Sequence, residues 1–277
     1  MDVSGKLLTS FLHSALLKTQ EDIDDRDREN GVNRKKQGQG SGRKRGIAVG
    51  ILLAIVILFA VYFGTYYRAD ATAQAALAGD ETVKVSSIPE GGYFFDGPAT
   101  DTALIFYPGA KVETAAYAPL LHGIAEKDCD VFLLDMPLHM AVFDIDKADE
   151  IRDACNYSSW YMAGHSLGAA MAAQYTADHL EEYEGLILLA GYPTKDLHRD
   201  GFGLLSIYGT NDMDPESLQK NAEYRPEDYT EVVIKGGNHA QFGNYGIQRG
   251  DGTAEISAED QQEQTKEAVW SFLEKRQ

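Results

Sequence analysis

Cysteine is scarce in this chain: Cys129 and Cys155 are the only two among 277 residues, too few for the disulfide framework that stabilises small secreted domains. His and Cys nowhere cluster at ligand intervals, so no metal site is expected. Basic residues are scarce over most of the chain as well. Residues 68–277 carry fifteen Lys/Arg against thirty-six Asp/Glu, net −21, whereas residues 1–45 carry ten against seven, net +3. A polyanionic globular part repels phosphate backbones, which argues against nucleic acid as its partner. Between those two regions, residues 46–67 lack charge altogether.

That uncharged stretch is the first positive feature. Ile47 to Tyr67 holds twenty-one residues, twelve of them Ile, Leu, Val or Phe. At about 1.5 Å rise per residue it spans about 31 Å, the thickness of a bilayer's hydrocarbon core. Arg34, Lys35, Lys36, Arg43, Lys44 and Arg45 precede it and Arg68 alone follows closely. The positive-inside rule then puts the N-terminus in the cytoplasm and the rest of the chain on the outer face of the cell membrane, with Tyr62, Tyr66 and Tyr67 as the outer aromatic belt. Ala76-Leu77-Ala78 looks like a signal-peptidase site, but a signal core is usually about 7 to 15 apolar residues behind a short basic start. Here a full-length span follows a long polar region, so an uncleaved single-pass anchor is expected. Ahead of it, Leu7, Leu8, Phe11, Leu12, Ala15 and Leu16 share one helical face, and residues 21–42 are charged and Gly/Gln-rich. The expected organisation is a largely disordered cytoplasmic tail at 1–45, a transmembrane anchor at 46–67, a stalk at 68–81 and one folded domain at 82–277.

Within that domain, short apolar runs alternate with helix-length stretches, the rhythm of a parallel sheet covered by helices. Strands are expected at Thr82 to Ser86 and Gly92 to Phe95 as an opening hairpin, then at Ala103 to Tyr107, Asp130 to Leu134, Trp160 to Ala163, Leu186 to Ala190, Leu204 to Tyr208 and Glu231 to Ile234. Helical stretches are expected at Ala115 to Lys127, Leu167 to Leu180 and Ser217 to Asn221. The fold class is α/β, a mostly parallel sheet of about eight strands with helices on both faces.

Gly164-His165-Ser166-Leu167-Gly168 follows one such strand and opens an Ala-rich helix, the context a nucleophile elbow needs. The serine must occupy a tight strand-to-helix turn, and a glycine two positions to either side lets neighbouring backbone approach. On this motif the chain resembles the α/β-hydrolase family, particularly its small, lid-poor, dienelactone-hydrolase-like or esterase members, over about Thr82 to Leu273. The resemblance implies a catalytic order Ser, acid, His, each after a strand. It points to Asp212 in the Gly209-Thr210-Asn211-Asp212 turn as the acid, with Asp214 and Asp196 as rivals, and to His239 after Glu231 to Ile234 as the base. It also implies two oxyanion-hole N–H groups, one at Leu167 and one after the third strand, where Ala110 is the better candidate and Pro108-Gly109 replaces the family's usual His-Gly. Lys111, Glu113, His139 and Phe242 are expected near the same rim, the first, third and fourth as candidate substrate contacts. In that fold another strand separates those following Cys129 and Cys155, so both thiols are expected free. No cofactor is implied.

The implied activity is hydrolysis of a small acyl ester, thioester or lactone through an acyl-serine. Two readings from other classes stay open, a non-catalytic binding module and an acyltransferase. The tripeptides Arg249-Gly250-Asp251 and Asn156-Tyr157-Ser158 read as chance matches to adhesion and glycosylation motifs.

Overall fold

A computed structural model of the chain describes residues 41–98, 101–127, 129–214 and 216–276; the amphipathic face and most of the tail read from the sequence lie outside the described residues. The chain divides into two units, Met1–Gly64 and Thr65–Gln277. The first contains helix α1, Ser41–Gly64. Its Arg45–Tyr62 window has a mean hydropathy of 2.4 and none of it is buried. A helix apolar on every side, and this long, meets the length and composition needed to cross a bilayer.

The second unit is built on one sheet. Its strands are β1 (Lys84–Ser87), β2 (Gly92–Asp96), β3 (Thr102–Tyr107), β4 (Asp130–Leu134), β5 (Ser159–His165), β6 (Gly185–Leu189), β7 (Gly203–Gly209) and β8 (Asp228–Ile234). The spatial order is β1-β2-β4-β3-β5-β6-β7-β8. The β1–β2 and β2–β4 pairs are antiparallel and all others parallel. Strands β3, β4, β6 and β7 are buried along their whole length, so successive side chains enter two different cores and the sequence shows continuous apolar runs. Leu104 and Phe106 join Val131, Leu133, Tyr161 and Ala163 on one face. Ala103, Ile105 and Tyr107 join Phe132, Leu134 and Met162 on the other. Helices α2 (Ala71–Ala76), α3 (Ala118–Ala125) and α6 (Ala258–Glu274) cover the first face, α4 (Ala148–Ala154) and α5 (Leu167–Asp178) the second.

From β3 the chain passes to β4 on one side and then to β5 on the other. The loops after β3 and β5 therefore diverge around a crevice at the carboxyl ends of the strands, the place where such sheets bind ligands.

Three expectations are corrected. Residues 68–81 are not a free stalk. Tyr67 forms a parallel bridge with Val112, Asp70 caps α2 by accepting from the Ala73 N–H at 2.9 Å, and Ala73 is fully buried. The small alanines that suggested a spacer are what lets a short helix pack closely. Tyr66 and Tyr67 lie beyond the end of α1 and contact this unit, the Tyr66 ring 4.0 Å from that of His139 and the Tyr67 ring 5.6 Å from that of Tyr245. Finally, the helix read at Ser217 to Asn221 is a single 3₁₀ turn, Ser217–Gln219. Cys129 and Cys155 are free thiols.

Candidate active site

Strand β5 ends at His165 and α5 begins at Leu167, so Ser166 is the whole turn, at φ 57° and ψ −121°. A non-glycine residue held there costs about 1–3 kcal/mol and persists only when its surroundings fix it. Here the Ser166 N–H donates to the Leu189 carbonyl at 2.9 Å and its carbonyl accepts from the Ala170 N–H at 3.1 Å. The motif's glycines are demanded by contact. A Cβ on Gly164 would lie 2.6 Å from the Gly168 carbonyl, and one on Gly168 would lie 2.3 Å from the Tyr107 and Pro108 carbonyl oxygens. Strand, helix and β3 loop thus meet at backbone distance around the serine.

Asp212 lies three residues past β7 and His239 five past β8, and the fold brings them together. His239 Nδ1 is 3.2 and 3.1 Å from the two Asp212 carboxylate oxygens, with both side chains buried. A carboxylate only accepts, so Nδ1 carries the hydrogen and Nε2 the lone pair. That Nε2 is buried and has no hydrogen-bond partner among the described residues. The rival carboxylates are engaged elsewhere, Asp196 with His198 and Asp214 with Ser217.

Two residues that the sequence reading passed over hold the His239 loop. Asp251 accepts from the N–H groups of His239 at 3.1 Å and Ala240 at 2.8 Å. Gln261, fully buried in α6, accepts from the Asn238 N–H at 2.9 Å and donates to the Asn238 carbonyl at 2.8 Å. Asp251 had been read only as part of a chance tripeptide, and Gln261 shows as polar among polar residues of an amphipathic helix, so neither announced itself.

In the loop after β3, Pro108 has no N–H. The Gly109 N–H donates to the Tyr117 hydroxyl at 3.0 Å, that of Lys111 to the His139 carbonyl at 2.7 Å, and that of Val112 to the Gly109 carbonyl at 3.3 Å. The Ala110 N–H is unspent among the described residues, as is that of Leu167 in the first turn of α5, where helix N–H groups have no internal acceptor.

The Tyr117 hydroxyl also lies 2.8 Å from His165 Nδ1, and His165 Nε2 lies 3.0 Å from the His239 carbonyl. The carbonyl requires a hydrogen on Nε2, so Nδ1 accepts from the Tyr117 O–H, whose oxygen accepts from Gly109. Burial holds the His165 imidazole well below its ordinary pKa and the Tyr117 phenol well above its own, and both are neutral. One chain of hydrogen bonds therefore links the β3 loop, the elbow and the His239 loop.

The expected rim residues separate. Lys111 and His139 are partly exposed, with Lys111 Nζ donating to Thr65 Oγ1 at 3.2 Å. Glu113 instead accepts from the Ala69 N–H at 2.9 Å. Phe242 is no rim contact. It is fully buried, its ring 5.7 Å from that of His165, because the 3₁₀ turn Ala240–Phe242 directs it into the core. Among the described residues, metal-ligating side chains gather at Asp80, His122 and Glu126. There the two ring nitrogens of His122 face different carboxylates, those of Asp80 and Glu126, at 3.4 and 3.6 Å.

Residues 103–263, more than half of the chain, match the alpha/beta hydrolase family, and the chain belongs to that family. Comparison with curated protein sequences finds no match. Among solved structures, the carboxylesterase CesB (YbfK) of Bacillus subtilis is similar at 11% identity, with a TM-score of 0.50 over 73% of this chain and 94% of that one; at this identity the likeness shows a shared fold. Est1E of Butyrivibrio proteoclasticus is similar at 15% identity over 71% of this chain and 99% of its own, TM-score 0.49. TT1662 of Thermus thermophilus is similar at 18% identity over 57% and 90%, TM-score 0.46.

Proposed function

We propose that the chain is a membrane-anchored serine hydrolase that cleaves a small acyl ester, thioester or lactone through an acyl-Ser166 intermediate. The observation that carries this reading is the buried Asp212–His239 pair, its Nε2 unspent, on a loop bonded to the residue next to a strained Ser166. In the proposed cycle His239 Nε2 takes the Ser166 hydroxyl proton as Oγ attacks the acyl carbon. The oxyanion that forms faces the Ala110 and Leu167 N–H groups, the two unspent donors. Collapse expels the alcohol, which leaves with the proton from Nε2, and a water molecule repeats the sequence to release the acid. Asp212 fixes the tautomer and stabilises the imidazolium.

The chain passes from β5 through α5 to β6 and β7 with no inserted helical lid, which supports a small, lid-poor, dienelactone-hydrolase-like enzyme acting on accessible substrates. The apolar α1 and the basic cluster before it support a single-pass anchor in the cell membrane, N-terminus cytoplasmic and hydrolase unit on the outer face. The acidic surface of that unit supports a small-molecule substrate over nucleic acid.

The test uses the full chain in nanodiscs, with fluorophosphonate labelling and turnover of p-nitrophenyl acetate. Both are expected for the wild type, and both should vanish in Ser166→Ala. Labelling that persists in that variant overturns the assignment. A folded wild type that neither labels nor turns over ester would favour a binding module.

A further inference from the structure

Residues 65–70 run between two loops at the carboxyl edge of the sheet. On one side, the Tyr67 N–H donates to the Lys111 carbonyl and the Lys111 N–H to the His139 carbonyl, both at 2.7 Å, and the Tyr66 and His139 rings are 4.0 Å apart. That loop, which follows β4, leaves Leu138 43% and Val142 44% exposed. On the other side, the Tyr67 hydroxyl accepts from the Arg249 N–H at 3.1 Å and the Asp70 N–H donates to the Asn244 carbonyl at 2.8 Å. Between those two contacts Ile247 is 95% exposed. Both loops border the candidate site, one joined to the Ala110 loop, the other continuing from His239.

Charge is distributed unevenly here. In a unit of net −21, two cations lie on this segment, Arg68 above the Tyr66 ring at 4.6 Å and Lys111 on Thr65, and Arg249 follows Ile247 by two residues. The carboxylates alongside keep their charge and are held by backbone N–H groups, Glu113 by Ala69, Asp70 by Ala73, and Asp251 by His239 and Ala240. Apolar side chains flanked by cations suit the boundary between headgroups and acyl chains. Reach decides the partner. Tyr67 follows the end of α1 by three residues, about 11 Å of chain at full extension, so if α1 spans a bilayer this edge stays at its surface.

We propose that Ile247, Leu138 and Val142 seat this edge in the interface of the bilayer that holds α1, so that Ser166 opens toward the membrane and takes esters carried by bilayer-embedded amphiphiles. The inference rests on the reading of α1 as an anchor and, for its substrate class, on the serine-hydrolase reading. Its test separates the two. Ile247→Trp in full chain, reconstituted in nanodiscs containing brominated phospholipid, is expected to be quenched well beyond the wild type, whereas Glu227→Trp, placed before β8 at the opposite edge, is not. In the same nanodiscs Ile247→Glu with Val142→Glu should lower turnover of a fluorogenic acetyl ester on a dialkyl-glycerol anchor about tenfold and leave p-nitrophenyl acetate turnover unchanged. Equal quenching of the two tryptophan variants overturns the docking. Quenching with no turnover of either ester upholds the docking and sinks the hydrolase reading. An equal fall for both esters overturns the proposed substrate class.

Discussion

Replacing Tyr117 by Phe removes one oxygen and leaves the ring, so no cavity opens and the loss is confined to hydrogen bonding. The Gly109 N–H would lose its 3.0 Å acceptor and His165 Nδ1 its 2.8 Å donor, both among buried groups. A buried donor left unmade costs about 1–3 kcal/mol and a typical net bond about 1, so destabilisation of about 2–4 kcal/mol is expected. Gly109 precedes Ala110. Loss of a whole oxyanion donor costs about 10² to 10³ in rate; a donor merely loosened should cost about tenfold, in kcat more than in KM. Denaturant titration of the full chain in detergent gives the first number, and steady-state hydrolysis of p-nitrophenyl acetate the second. A Tyr117→Phe chain with wild-type stability and kcat would refute the coupling of the three loops.

Two further outcomes are expected. Asp212→Asn keeps the packing but offers the imidazole an amide that can hold the wrong tautomer, and kcat should fall by about 10³ to 10⁴ while the stability curve barely moves; retention of a tenth of the activity would exclude Asp212 as the acid. His165 is neutral in the fold with its pKa well below ordinary, so its contribution to stability is complete above about pH 6.5, where the unfolded histidine is also neutral, and is lost as pH falls. Below that point each unit should cost up to about 1.4 kcal/mol until the buried ring itself takes a proton. Urea midpoints between pH 7 and 5 check this, and a midpoint unchanged by pH would contradict it.

The parts legible in the sequence share a cause. Strands β3, β4, β6 and β7 show as apolar runs because both faces are buried, and the elbow shows because its motif is contiguous, falling at one strand-to-helix turn. Asp212 and His239 are singled out by their place after a strand, a rule of topology, and the fold sets the two side by side. What stayed hidden depends on pairings distant in sequence. Tyr117 looks like one more aromatic in a helical stretch until His165, 48 residues on, accepts its hydrogen. Phe242 was misplaced because nothing in its neighbours says that the turn after His239 points inward. Residues 68–81 were misread because alanine composition alone does not distinguish a spacer from a helix lying tight on a surface.

Gln261 carries a consequence for the order of synthesis. A growing polypeptide has all eight strands by Ile234, yet the amide that grips the peptide ahead of His239 comes only with α6. A nascent chain can therefore hold all eight strands while the Asn238 peptide still lacks both of these bonds, which form only when the final helix docks.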